Sequence, residues 1–265
     1  MNLLKFTSCQ AATADATCRA IVAYLGQRLG IPTQFVDDVP WQERSHLFDA
    51  GEIQVSWICG WPYVRRVDRE KRPIELLVAP VMQGARYQGR PVYFSDVVVR
   101  RDSPYRCFAD LRGVRWAYNE PESFSGNWVV RYHLATLGEM VGYFGVVVES
   151  GAHQNSLQMI MDGEVTAAAI DSTVLEAIFQ SEPALSEQIN IVATHGPNPM
   201  PPWVIHTELE PALRQRLQTL LTSMHEDSSG QAILNGDGMA FFAAADNADY
   251  DPIREMVRHG ASVTL

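Results

Sequence analysis

Long apolar runs are missing from this chain of 265 residues. None approaches the roughly 18 residues that a membrane-spanning helix needs, so membrane insertion is not expected. A surplus of positive charge is missing as well: 21 Lys and Arg stand against 31 Asp and Glu, a formal net charge of -10. A nucleic-acid binder needs a basic face to neutralise phosphates, and this balance argues against one. It does not argue against a single small anion, which the N–H groups at a helix N-terminus can hold whatever the net charge. Cysteine is scarce. Cys9, Cys18, Cys59 and Cys107 form no C-x-x-C pair and no metal-ligand spacing, so isolated buried thiols are expected, with a Cys9–Cys18 disulfide as the alternative and no metal or cofactor. The phosphate-cradling P-loop, the G-x-G-x-x-G dinucleotide loop, the G-x-S-x-G elbow and H-E-x-x-H are all absent, so catalysis is not expected. The opening MNLLKFTSCQAATADATC has only a brief apolar start, with Asp15 following early. It lacks the basic n-region, the apolar stretch of about 7–15 residues and the cleavage site of a secretory signal. The expectation is a cytoplasmic protein, or one whose export signal lies outside this chain.

What is present is a rhythm of short apolar runs and helix-length amphipathic segments. Leu3 to Thr7 reads as a strand. Thr17 to Leu29 reads as a helix, with Ile21, Val22, Leu25 and Leu29 at helical spacing and Gly30 where a C-cap glycine belongs. A strand at 33–36, a helix at 41–50 and a strand at 55–59 complete a βαβαβ pattern, which predicts a parallel sheet covered by helices. The rhythm restarts at VYFSDVVVR, residues 92–100, the strongest strand signal in the chain. Strands at 114–118, 146–149, 167–171 and 189–193 follow, with helices at 128–137, 155–161 and 174–180. Thr194 to Pro202 is a Pro/Gly-rich connection. The remainder reads as helical, at 212–224, 230–235 and 253–259. Two cycles and a return segment predict two lobes, one built from 1–93 plus 195–265 and the other from 94–194.

The stretch VYFSDVVVRRDSPYRCFADLRGVRWAYNEPESFSG has an aromatic-led strand, a charged Asp-Ser turn, a Leu-x-Gly segment, a second strand and a Ser-x-Ser-Gly loop. A block SGAHQNSLQMIMDGEVTAAAIDSTVL and a closing NADYDPIREM follow. In this order the segments resemble the phosphonate/phosphate-binding proteins of ABC importers. The resemblance implies the type 2 periplasmic binding-protein fold, with two Rossmann-like lobes joined by a hinge. It implies a small anionic solute held between the lobes, an ABC permease as partner, a periplasmic location and a monomer or weak dimer. Cytoplasmic enzymes on the same fold, of the menaquinone and thiamine-precursor type, and a stand-alone ligand sensor are the alternatives.

Ser123, Phe124, Ser125 and Gly126 lie between a predicted strand and a predicted helix. A Ser there caps the helix, and its hydroxyl is also able to donate to an oxyanion beside the outward-facing N–H groups. Gly126 allows close backbone approach. Phe124 stands where the family usually has Thr. The competing reading is a plain capped turn. His153 precedes the next helix. The resemblance makes it a donor to the anion, an imidazole such an anion would hold protonated; otherwise it is a cap or a surface residue. Asp171 ends a predicted strand, either meeting the ligand's polar end or capping the next helix. Trp61, with Cys59 and Tyr63 beside it, follows a strand at the end where open α/β sheets bind ligands; these aromatics serve equally well as core. Tyr93 opens the crossing strand, where the family has a ligand-facing Tyr, with ordinary strand packing as the alternative. Ser123, His153 and Asp171 do not read as a catalytic triad, because Ser and His each sit at a helix start, where anion binding is the simpler account. The run Arg65, Arg66, Arg69, Lys71 and Arg72, mixed with Asp68 and Glu70, reads as a solvated helix face.

Overall fold

A computed structural model describes residues 3–69 and 74–265. Glu70, Lys71 and Arg72 of the basic run lie outside the described residues. The strands are β1 (Leu4–Ser8), β2 (Thr33–Phe35), β3 (Val55–Trp57), β4 (Ile74–Met82), β5 (Val92–Arg100), β6 (Arg115–Tyr118), β7 (Val146–Glu149), β8 (Ala167–Asp171), β9 (Ile189–Pro199), β10 (Trp203–His206) and β11 (Met239–Ala243). They form two mixed sheets in two compact units. The first unit takes the chain up to Val92 together with Pro199–Tyr250, and the second takes Tyr93–Asn198 with Asp251–Leu265.

In the first unit the strand order is β11-β4-β10-β3-β1-β2. β2, β1 and β3 are parallel, as the βαβαβ rhythm predicts. The helix Asp15–Leu29 ends on Gly30, whose φ of 68 is the left-handed conformation a C-cap glycine supplies. β10 and β11, however, run antiparallel to their neighbours, so the sheet is mixed rather than parallel. These two strands and β4 escaped the sequence reading, which made the C-terminal stretch helical throughout. Pro80 sits within β4 opposite Phe242, beside a register irregularity between Met239 and Phe241. A proline in such a run argues against a strand, and the irregular pairing of β4 with β11 is where the ladder tolerates one. β10 is decided by burial: Trp203, Val204 and Ile205 are fully buried, and Trp203 stacks on Trp57 with ring centroids 5.9 Å apart.

The second unit has the order β7-β6-β8-β5-β9. β6 is parallel to β7 and β8, and β5 is antiparallel to β8. Its core gathers Val97, Val99, Leu111, Trp116, Leu134 and Phe144. β9 runs on to Pro199, through the segment expected to be an irregular connection. The helix Asp251–Gly260 packs on the helix Val129–Thr136, which groups it with this unit, whereas the sequence rhythm placed it with the first. Ile253 and Val257 are buried along it, and the Arg131 Nη2 donates to the Ala261 carbonyl at 3.1 Å.

The four cysteines are thiols. Cys18 is buried, and that burial pushes its thiol above its ordinary range, but Cys107 is exposed and Cys9 and Cys59 are half-buried. The basic run is not simply a solvated face. The Arg66 Nε donates to Asp49 Oδ1 at 2.9 Å and its Nη2 to Ser45 Oγ at 2.7 Å, while burial lowers Arg65 from its ordinary value. Among the described residues no helix is long and apolar enough to cross a membrane.

Candidate functional site

The helix after β6 does not begin with a regular turn. Phe124–Trp128 form a widened π-helical turn, in which the Trp128 N–H donates to the Ser123 carbonyl and the Val129 N–H to the Phe124 carbonyl, each five residues back. Single π-turns of this kind concentrate at functional sites. Ser123 is the cap: its Oγ accepts from the Gly126 N–H at 3.1 Å. The first turn of a helix leaves N–H groups without intrahelical partners. The Ser123 cap takes the Gly126 N–H, one of the groups that such a first turn leaves over.

Ser123 and Ser125 are each 3% exposed. The Ser125 Oγ lies 3.1 Å from the His153 Nε2, and the Ser125 carbonyl accepts from the Ser95 hydroxyl at 2.8 Å. His153 opens the helix His153–Met161 after β7. Two helix mouths therefore converge on one hydroxyl–imidazole pair. Gly126 is the reason they fit: a Cβ there would overlap Asn119 Oδ1 and lie 3.3 Å from the His153 Cε1.

The imidazole has its own charge state before any anion arrives. His153 is buried, and desolvation pushes its pKa down to about 4, so without an anion it is neutral rather than protonated. It offers one N–H, and its Nδ1 has no hydrogen-bond partner. Phe124 is fully buried, so its backbone rather than its ring is available to a ligand. Asp171 takes the capping role. Its Oδ1 accepts from the Thr173 N–H and hydroxyl, both at 2.8 Å, ahead of the helix Ser172–Ser181. Burial raises its carboxyl to about 6 against those hydrogen bonds. The ordinary value of 3.8 lies below that, so ionised Asp171 is held at a cost that is present above pH 6 and disappears as pH falls through 4. Asp171→Asn keeps the capping oxygen and removes the charge. It is expected to raise stability at neutral pH by up to about 3 kcal/mol. The gain should shrink to nothing near pH 4 in denaturant titrations; an equal gain at both pH values would contradict this account.

Tyr93 is buried at the start of the unit, and beside it the Phe94 N–H donates to the Ser172 Oγ at 3.0 Å. In the first unit Cys59 is the N-cap of the helix Gly60–Val67, with Trp61 half-buried in its first turn. Tyr63 is core: its hydroxyl donates to Asn247 Oδ1 at 3.0 Å and its ring meets Tyr250 edge-on at 4.8 Å. The second unit thus brings together Ser123, Ser125, Gly126 and His153, with Asp171 on β8, the strand packed against the same turn. Asn119 and Ser95 escaped the sequence reading. Asn119 follows β6 directly, at the carboxyl end where such sheets bind ligands. Ser95 is part of a buried Ser-Asp pair inside β5, a polar interruption that invites a structural explanation.

The chain is similar to known proteins along nearly its whole length. The family described as "ABC transporter, phosphonate, periplasmic substrate-binding protein" matches residues 6–250. The phosphonates-binding periplasmic protein of Escherichia coli K12 is 21% identical over 210 residues, which is 77% of this chain and 60% of that protein's length. Among solved structures, a binding-protein component of an ABC phosphonate transporter from Pseudomonas aeruginosa superposes with a TM-score of 0.84 at 16% identity, covering 98% of this chain and 86% of that one. PhnD1 of Prochlorococcus marinus, solved with methylphosphonate, gives a TM-score of 0.81 at 16% identity, covering 98% and 99%. These likenesses carry the type 2 periplasmic binding-protein fold. Matched by this family across residues 6–250, the chain belongs to the periplasmic substrate-binding proteins of phosphonate ABC transporters.

Proposed function

We propose that this protein binds a small phosphonate-class oxyanion reversibly, without chemical change, and hands it to an ABC permease. The observation that carries the reading is the 3.1 Å approach of the Ser125 Oγ to the His153 Nε2 at two helix mouths, both residues buried. Backbone N–H groups, the Ser123 and Ser125 hydroxyls and one imidazole N–H supply donors without a cation, and the helix dipole favours negative charge at this point. The methylphosphonate complex of the Prochlorococcus protein, alike in fold, supports the ligand class. Tyr93, at the start of the second unit, is assigned to the non-phosphonate part of the ligand.

Titration calorimetry with methylphosphonate tests the reading. Ser125→Ala should weaken binding by about 1–3 kcal/mol, as for a lost hydrogen bond to a charged group. An affinity equal to that of the unaltered protein would remove Ser125 from the site, and an absence of binding by the unaltered protein would remove the ligand class.

A further inference from the structure

Donors are what an anion seat is expected to offer, yet this one also holds an orphaned acceptor. Asn119 is 9% exposed, and its Oδ1 is buried without a hydrogen-bond partner. Leaving such an oxygen unpaired costs about 1–3 kcal/mol, and a native structure that carries one calls for an account. The position is well defined. The Asn119 carbonyl accepts from the Gly151 N–H at 2.8 Å, which fixes its backbone beside the loop leading to His153. Its Oδ1 is the atom that bars any Cβ on Gly126, and the His153 Cε1 borders the same spot. Next to that carbon in the ring is Nδ1, the second unpartnered polar atom of the site. Two orphans thus flank the residue whose N–H the Ser123 cap takes.

Resting on the phosphonate-binding reading, we propose that Asn119 is a specificity-determining residue, whose Oδ1 accepts a hydrogen bond from the ligand's own hydroxyl, so that the seat takes a monoprotonated oxyanion (P–OH) and rejects an isosteric anion that carries no proton.

The surroundings favour the same charge state. None of the residues named at the seat is Lys or Arg. Carboxyls stand close in sequence and sheet, Glu120 beside Asn119, Glu122 beside Ser123, Asp96 beside Ser95 and Asp171 on β8, and contribute negative charge when ionised. A second full charge on the ligand would have no cation to meet it, whereas a ligand hydroxyl satisfies the acceptor and leaves a monoanion for the N–H groups. Sites that place a buried polar group for a ligand hydroxyl discriminate strongly against analogues lacking it, because the group is then left unpaired.

Methylphosphonate monoanion and methanesulfonate have the same charge and nearly the same shape, and of the two only the phosphorus compound carries that proton. Calorimetry at a mildly acidic pH, where methylphosphonate is a monoanion, should show the unaltered protein preferring it over methanesulfonate by at least about 100-fold. Asn119→Ala should reduce the preference to less than about tenfold by weakening methylphosphonate alone. Asn119→Asp, which keeps the acceptor oxygen, should retain the preference with lower affinity for both. A preference below tenfold in the unaltered protein overturns the proposal and needs no variant to fold. Equal weakening of both anions by Asn119→Ala overturns it too, because the amide would then be a donor. If the unaltered protein binds neither anion, the phosphonate reading itself fails and this one falls with it.

Discussion

Replacing Gly126 with Ala is expected to weaken methylphosphonate binding by about 100-fold. The new Cβ would overlap Asn119 Oδ1 and lie 3.3 Å from His153. Relief requires the π-turn to move away from β6, or the Asn119 side chain to swing out of the turn while His153 gives by a few tenths of an ångström. The first motion lengthens the 3.1 Å contact between Ser125 and His153, and the second withdraws Asn119 Oδ1 from the turn and shifts the imidazole. A displacement of about 1 Å in a positioned group is enough to cost two orders of magnitude in function. The stability cost is the smaller effect, about 1–3 kcal/mol, as for overpacking elsewhere. A matched control separates the two. Gly163 has a φ of 74 with nothing within 4 Å of an added Cβ, so Gly163→Ala should lower the melting temperature through backbone strain and leave affinity unchanged. Calorimetry on both variants checks the prediction. A Gly126→Ala protein with full affinity would mean that the turn and Asn119 do not shape the seat.

The parts of this molecule that could be read in advance were those where local chemistry and burial agree. VYFSDVVVR became β5 with the expected limits, and β7 and β8 also fall where their apolar runs lie. The cap at the Ser-x-Ser-Gly loop was legible for a related reason: a hydroxyl residue at a strand-to-helix junction is a favoured N-cap, and Ser123 is one. What stayed hidden depended on distant partners. β4 carries a proline, and it is a strand because β10 and β11 flank it. Tyr63 looked like a ligand aromatic until Asn247 and Tyr250, far along the chain, were seen to occupy its hydroxyl and ring. The neutrality of His153 could not be read either, because it follows from desolvation, a property of the folded neighbourhood. The same holds for Asn119, an ordinary post-strand residue until its oxygen is found buried against Gly126.

Truncating Trp116 to Ala should produce the largest loss of stability, about 3–5 kcal/mol. Trp116 lies on β6 with its side chain fully buried. It stacks on Phe144 with centroids 4.3 Å apart and meets Phe108 edge-on at 6.3 Å. Phe108 in turn stacks on Tyr143 at 5.4 Å, so one indole anchors an aromatic chain across the unit. Removing it leaves a cavity that rigid rings on several sides cannot close. The indole is not ideal for its place, however, because its Nε1 is buried without a hydrogen-bond partner. Trp116→Phe keeps an aromatic face and removes that orphaned donor, so the gain from relieving it offsets part of the lost volume. A net cost of less than about 1.5 kcal/mol is expected. Urea titrations followed by circular dichroism, with the slope compared between proteins, read both values. If Trp116→Phe proved as damaging as Trp116→Ala, the indole N–H would be bonded after all and the stack would not be what holds β6. If both were mild, the core of this unit would be able to collapse around the gap. Because Asn119 follows β6 directly, a sheet loosened at Trp116 should also weaken methylphosphonate, whereas the Phe variant should bind it as the unaltered protein does.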